Sequence, residues 1–142
     1  MHMKRRILVV DDEHSILELL RYKLSNQGFE VVTAANAWEF WCEALTIKPD
    51  LIILDIWLKG RLGTEVYNEL LLNGLDSNIP IIFITALLED CSPSHARPGV
   101  KYALYGKPFD FDELTKGVNC LLENVAQRSQ ETELSQEYED GG

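Results

Sequence analysis

Three acids, one hydroxyl and one amine stand at comparable places in this sequence, each at or just after the end of a short apolar run. Asp11 and Asp12 follow "ILVV" (7–10), and Asp55 follows "LIIL" (51–54). Thr85 follows "IIFI" (81–84), and Lys107-Pro108 comes shortly after "VKYAL" (100–104). Carboxylates at the end of a buried segment lose hydration and repel one another, so a cluster of them is costly unless positive charge joins it. No basic residue stands among Asp11, Asp12 and Glu13. The chemistry to be explained is therefore that of an acidic cluster in need of a cation, with a hydroxyl and an amine close by.

The elements that must bring these groups together alternate in kind. With "EVVTA" (30–34) there are five apolar runs. Three of them are continuous rather than alternating, the pattern of strands covered on both faces. Between them lie segments of helical spacing. Ile16, Leu17, Leu20 and Leu24 share one face of a first helix that Gly28 is placed to end. A second helix runs from Asn36, an N-cap, to Ile47, where Lys48-Pro49 stops it. A third covers about 64–72, and the last begins near Phe109 with Leu114, Val118, Leu121 and Val125 on one side. Trp38, Phe40 and Trp41 read as packing residues. The fourth connection, "LLEDCSPSHARPGV", holds Pro93 and Pro98, which oppose a long helix; a short helix over about 86–91 followed by a loop is expected.

Strand alternating with helix five times implies an α/β fold, a parallel sheet with helices on both faces. In such sheets ligands bind beyond the carboxyl ends of the strands, near the reversal of strand order. The five groups named above all fall there. At 142 residues the chain is long enough for one domain with a real core. Residues 126–142 carry five acids against one arginine and few apolar side chains. They read as an acidic polar tail, disordered or an extension of the last helix, with a small docking motif at Leu134 and Tyr138 as the lesser alternative. A formal net charge of -10 argues against a general nucleic-acid binder. Cys42, Cys91 and Cys120 are odd in number and form no CxxC, which favours a reducing cytoplasm over a disulfide framework or zinc site. No apolar run approaches the roughly 20 residues needed to cross a bilayer.

Taken in order, "VVDDE", "LIILDIW", "FITA" and "GKPF" resemble the receiver domain of two-component response regulators, over about residues 5–125. The resemblance implies a flavodoxin-like (βα)5 doubly wound five-stranded parallel sheet. It also implies a switch rather than a classical enzyme. Asp55 is then the phosphorylated residue, attacking phosphorus through its carboxylate. Asp11, Asp12 and Asp55 suit a hard cation such as Mg²⁺, with the backbone carbonyl of Trp57 completing the protein ligands. Lys107 and the metal would neutralise charge on the transferring phosphoryl group, and Thr85 would bond it and draw the next loop inward. Pro108 is the structural partner of Lys107, through a cis bond in this family. The implied partners are a histidine kinase or histidine phosphotransfer protein and a downstream protein target, without direct DNA binding or a membrane, in a monomer or weak homodimer.

Several positions depart from the family pattern. Leu104 stands where an aromatic residue is common, three before Lys107, with Tyr102 and Tyr105 flanking it. Lys59 replaces a common proline, and is expected to point into water. Trp57 and Leu87, two after Asp55 and Thr85, are bulky and apolar, so neither can orient a water and slow self-dephosphorylation is expected. An alternative is an atypical receiver that binds protein without phosphorylation. A haloacid-dehalogenase-type enzyme would need a second acid where Trp57 stands, and a flavodoxin-like flavin carrier would have its phosphate repelled by "DDEH".

Overall fold

The computed structural model describes residues 4–86 and 101–123. Five parallel strands form one sheet: β1 (Arg6–Val10), β2 (Glu30–Ala34), β3 (Leu51–Asp55), β6 (Ile81–Thr85) and β7 (Tyr102–Gly106). Their spatial order is β2-β1-β3-β6-β7, the flavodoxin-like order. The reversal of order lies between β1 and β3, so Asp11, Asp12 and Asp55 leave the sheet side by side.

Alternation of side chains makes two cores from one sheet. Leu8, Val10, Ile52, Leu54 and Phe83 face α2 (Ala37–Ile47) and α3 (Gly63–Leu72). Ile7, Val9, Ile53, Ile82 and Ile84 face α1 (His14–Asn26) and α4, the helix over 111–123. Both faces of the central strands are closed to water, which is why those runs are apolar without interruption.

Helix ends follow local chemistry. Asn36 caps α2 by accepting the Glu39 N–H at 2.8 Å, while Glu39 reaches back to accept the Ala35 N–H at 2.7 Å. The two side chains hold the helix start from both sides, Asn36 as the cap and Glu39 through the residue before it. Gly28, at φ 95°, turns the chain after α1, and Lys48 leaves α2 in the left-handed region at φ 51°.

Some boundaries differ from the sequence-based expectation. β7 begins at Tyr102 and runs to Gly106, two residues beyond the apolar run, because its register follows Ile81–Thr85 of β6. The last helix begins at 111 rather than near Phe109. Asp110 sets that start, its carboxylate accepting the N–H groups of Asp112 (2.7 Å) and Glu113 (3.3 Å). A two-stranded hairpin was not expected: β4 (Trp57–Leu58) pairs with β5 (Arg61–Leu62) around Gly60, at φ 85°. Of the aromatic trio in α2, Phe40 is buried as expected and Trp41 packs at the core margin, but Trp38 is 74% exposed. The expected short fourth helix, Leu87, Val125 and the acidic tail lie outside the described residues.

Replacing the cap, Asn36→Ala, is expected to cost about 1 kcal/mol of stability. Urea unfolding followed by circular dichroism checks this; an unchanged midpoint would show that the Asn36 cap contributes nothing here.

Candidate functional site

The carboxyl ends of β1, β3, β6 and β7 converge on one polar pocket. Asp11 N–H donates to Ala34 O at 3.1 Å, so the chain keeps sheet-like pairing for one residue past β1 before turning into α1. The Asp11 carboxylate then accepts the Glu13 N–H at 2.9 Å, and no side chain caps α1 itself. A tight turn, and not a helix cap, thus aims Asp11 inward. On β3 the same device recurs: Asp55 Oδ1 accepts the Trp57 N–H at 3.0 Å.

Lys107 reaches this pocket from the end of β7. Its main-chain N–H donates to Thr85 O at 2.7 Å, and the Lys107-Pro108 bond is cis. Its Nζ lies 2.9 Å from Asp11 Oδ2, 3.0 Å from Asp55 Oδ2 and 3.5 Å from Glu13 Oε1. Thr85 is fully buried at the end of β6, in register with Gly106. Carboxylate oxygens of Asp11, Asp12 and Asp55 lie within 4.8 Å of one another.

The electrostatics follow from burial. Asp11 and Asp55 are 1% and 4% exposed. Burial pushes the Asp11 carboxyl up to about 6, with the Asp55 charge adding to it and the Glu13 N–H and Lys107 opposing. Burial likewise raises Asp55, helped by the charge of Asp12 and opposed by Lys107 and the Trp57 N–H. For Lys107, burial works against the charge, but hydrogen bonds to Asp11 and Asp55 outweigh it and hold the ammonium well above the usual lysine range. One lysine against the three aspartates leaves two formal negative charges uncompensated, the charge of one divalent cation. An all-oxygen donor set of this kind fits Mg²⁺.

A model of the response regulator receiver domain family matches residues 7–119. The chain belongs to the response regulator receiver family. Its receiver sequence is 34% identical, over 139 residues, to the alkaline phosphatase synthesis transcriptional regulatory protein PhoP of Bacillus subtilis (strain 168), covering 98% of this chain and 57% of that protein. It is 30% identical over 120 residues to sporulation initiation phosphotransferase F of the same organism, covering 84% of this chain and 95% of the other. Among solved structures, a CheY-like response regulator receiver domain protein from Methanospirillum hungatei JF-1 superposes with a TM-score of 0.76 at 25% identity, over 89% of this chain and 99% of that one. The chain spans a little over half the length of the PhoP relative and of the Staphylococcus aureus regulator KdpE (55%).

The structure gathers Asp11, Asp12, Asp55, Thr85 and Lys107 at one end of the receiver sheet. Trp57 follows at once, its amide on Asp55 and its indole half exposed, and Lys59 is exposed as expected. Leu104 lies on the α2/α3 face, paired with Phe83, while Tyr102 packs edge-on against that same Phe83 at 6.3 Å. Tyr105 points to the opposite face and covers Gly117 of α4.

Sequence reasoning overlooked Gly63. A Cβ built there meets Asp55 O at 2.3 Å and Leu54 Cδ1 at 3.0 Å, so α3 approaches the end of β3 more closely than any side chain permits. The Gly63 N–H also donates to Ile56 O at 2.6 Å, tying the helix start to the segment just after Asp55. The signal was a glycine opening a helix, where propensity gives no reason for one. Gly63→Ala must displace the backbone of Asp55, and a loss of about 1–3 kcal/mol is expected from overpacking. Urea unfolding of Gly63→Ala beside the natural chain checks it, and equal stability would disprove the close approach.

Proposed function

We propose that this receiver accepts a phosphoryl group on Asp55 and passes the change on through protein contacts. Receiver domains are phosphoacceptor switches rather than classical enzymes; the residue assignment is our own. The observation that carries it is the buried Asp55 carboxylate at the end of the central strand, 3.0 Å from the Lys107 ammonium and within 4.8 Å of the acids of Asp11 and Asp12.

One carboxylate oxygen of Asp55 forms a bond to phosphorus as the bond from phosphorus to the donor breaks, and the donor's imidazole or carboxylate departs with the electron pair. Lys107 supplies positive charge toward the incoming phosphoryl oxygens without transferring a proton. The amide of Trp57 holds the other side of the Asp55 carboxylate in place. Asp11, Asp12, Asp55 and the backbone carbonyl of Trp57 would hold Mg²⁺, which supplies further charge neutralisation when bound. Thr85, at the end of β6, is the group to bond the transferred phosphoryl and draw the following segment inward. Pro108 sets the direction from which Lys107 enters.

The donor we favour is a histidine kinase or a histidine phosphotransfer protein; one relative carries the name phosphotransferase. The formal charge of -10 supports a protein target over direct DNA binding, and an odd number of cysteines with no CxxC spacing supports a cytoplasmic setting. Among the described residues no helix is long and apolar enough to cross a membrane. Leu104, in place of an aromatic residue on the face shared with Phe83, favours a second reading, a receiver that binds its partner without phosphorylation.

Intact mass after incubation with acetyl phosphate and Mg²⁺ separates the two. The expected result is a gain of one phosphoryl group that disappears in Asp55→Asn and on addition of EDTA. No gain from acetyl phosphate or from any kinase in a screen would support the second reading. Once formed, the phosphoryl group is expected to persist for minutes or longer, because Trp57 and Leu87 offer no group to orient a water. Decay within seconds in Mg²⁺ would overturn that expectation.

A further inference from the structure

Beyond the phosphoacceptor pocket, one surface has the properties of a contact with its own copy. Trp38 stands in the first turn of α2 and is 74% exposed, an unusual place for the largest apolar side chain. Beside it lies an open depression of about 430 Å³ between α2 and α3, lined by Ala37, Trp38, Trp41, Arg61, Val66 and Glu69. Its rim carries one cation and one anion, Arg61 and Glu69, paired at 2.7 Å and both more than two-fifths exposed.

We propose that this α2–α3 face is a two-fold association surface of the protein with a second copy of itself. An isologous contact requires one patch to be complementary to itself: each knob must find a hole, and each charge its opposite, on the same surface. This patch holds both members of each pair. The indole of Trp38 is the knob, and the depression beside Trp41 and Val66 is the hole. Arg61 and Glu69 can exchange their intramolecular pair for two intermolecular ones across the axis. An acidic or basic partner finds no matching net charge here, whereas a second copy finds both signs. Aromatic and arginine side chains are those that concentrate binding energy at such surfaces. The patch is not the phosphoacceptor pocket, and the inference stands whether or not Asp55 is phosphorylated.

Sedimentation equilibrium of the full chain tests it. The natural protein should show reversible dimerisation at concentrations up to the millimolar range. Trp38→Ala should weaken it by about tenfold or more, with circular dichroism unchanged because the side chain lies in water. Arg61→Glu places two acids opposite each other in a homodimer, and Glu69→Arg places two bases there. Each variant alone should therefore be monomeric, and an equimolar mixture of the two should recover association, since both cross-axis pairs then become complementary. A natural chain that stays monomeric would overturn the proposal. So would dimerisation indifferent to Trp38→Ala, or a mixture that fails to associate.

Discussion

One ammonium group among buried acids is the constraint on which the rest of this structure turns. Removing Asp11 and Asp55 from water raises the free energy of their charged forms, and their mutual repulsion adds to it. Lys107, more than fifty residues further on, answers both at once. That answer works only if the ends of β1, β3 and β7 arrive together. The sheet order places β1 beside β3, and β6 between β3 and β7 keeps Lys107 within reach. Strand registers are therefore part of the pocket: a slip of one residue in β7 would turn its side chains to the opposite face.

The pocket is also held from outside the strands. Two amides that follow the acids, those of Glu13 and Trp57, pin the carboxylates from the turn side. Gly63 lets α3 close against Asp55 O, with its own N–H on Ile56. These main-chain contacts leave little freedom for Asp55, so charge added at its carboxylate is more readily relieved by movement of neighbouring segments than by the aspartate itself.

Much of this was legible before any coordinates. Continuous apolar runs announced strands buried on both faces, and the polar groups ending them announced where a site would lie. Asn36 was read correctly as a cap because its chemistry is local. What escaped notice depends on contacts between distant segments. Gly63 makes sense only once α3 is seen against β3, and the end of β7 only once its pairing with β6 is known. The hairpin at 57–62 contains four paired residues, too few for any periodicity to register. Trp38 was misjudged because its bulk was weighed and its angle was not: two residues before Phe40, it sits roughly 160° around the helix from it, away from the buried side of Phe40 and Ala44.

The two amides that pin the acids have a use for spectroscopy. Glu13 N–H is bonded to Asp11 alone of the aspartates, and Trp57 N–H to Asp55. In a proton–nitrogen correlation spectrum, each of these two cross-peaks should respond most strongly to events at its own carboxylate. Titrated with a cation or a phosphoryl donor, one unlabelled pocket contains two chemical-shift reporters, each bonded to a different carboxylate of a pair that Lys107 bridges. The order in which they move would resolve events at Asp11 from events at Asp55 without any introduced probe.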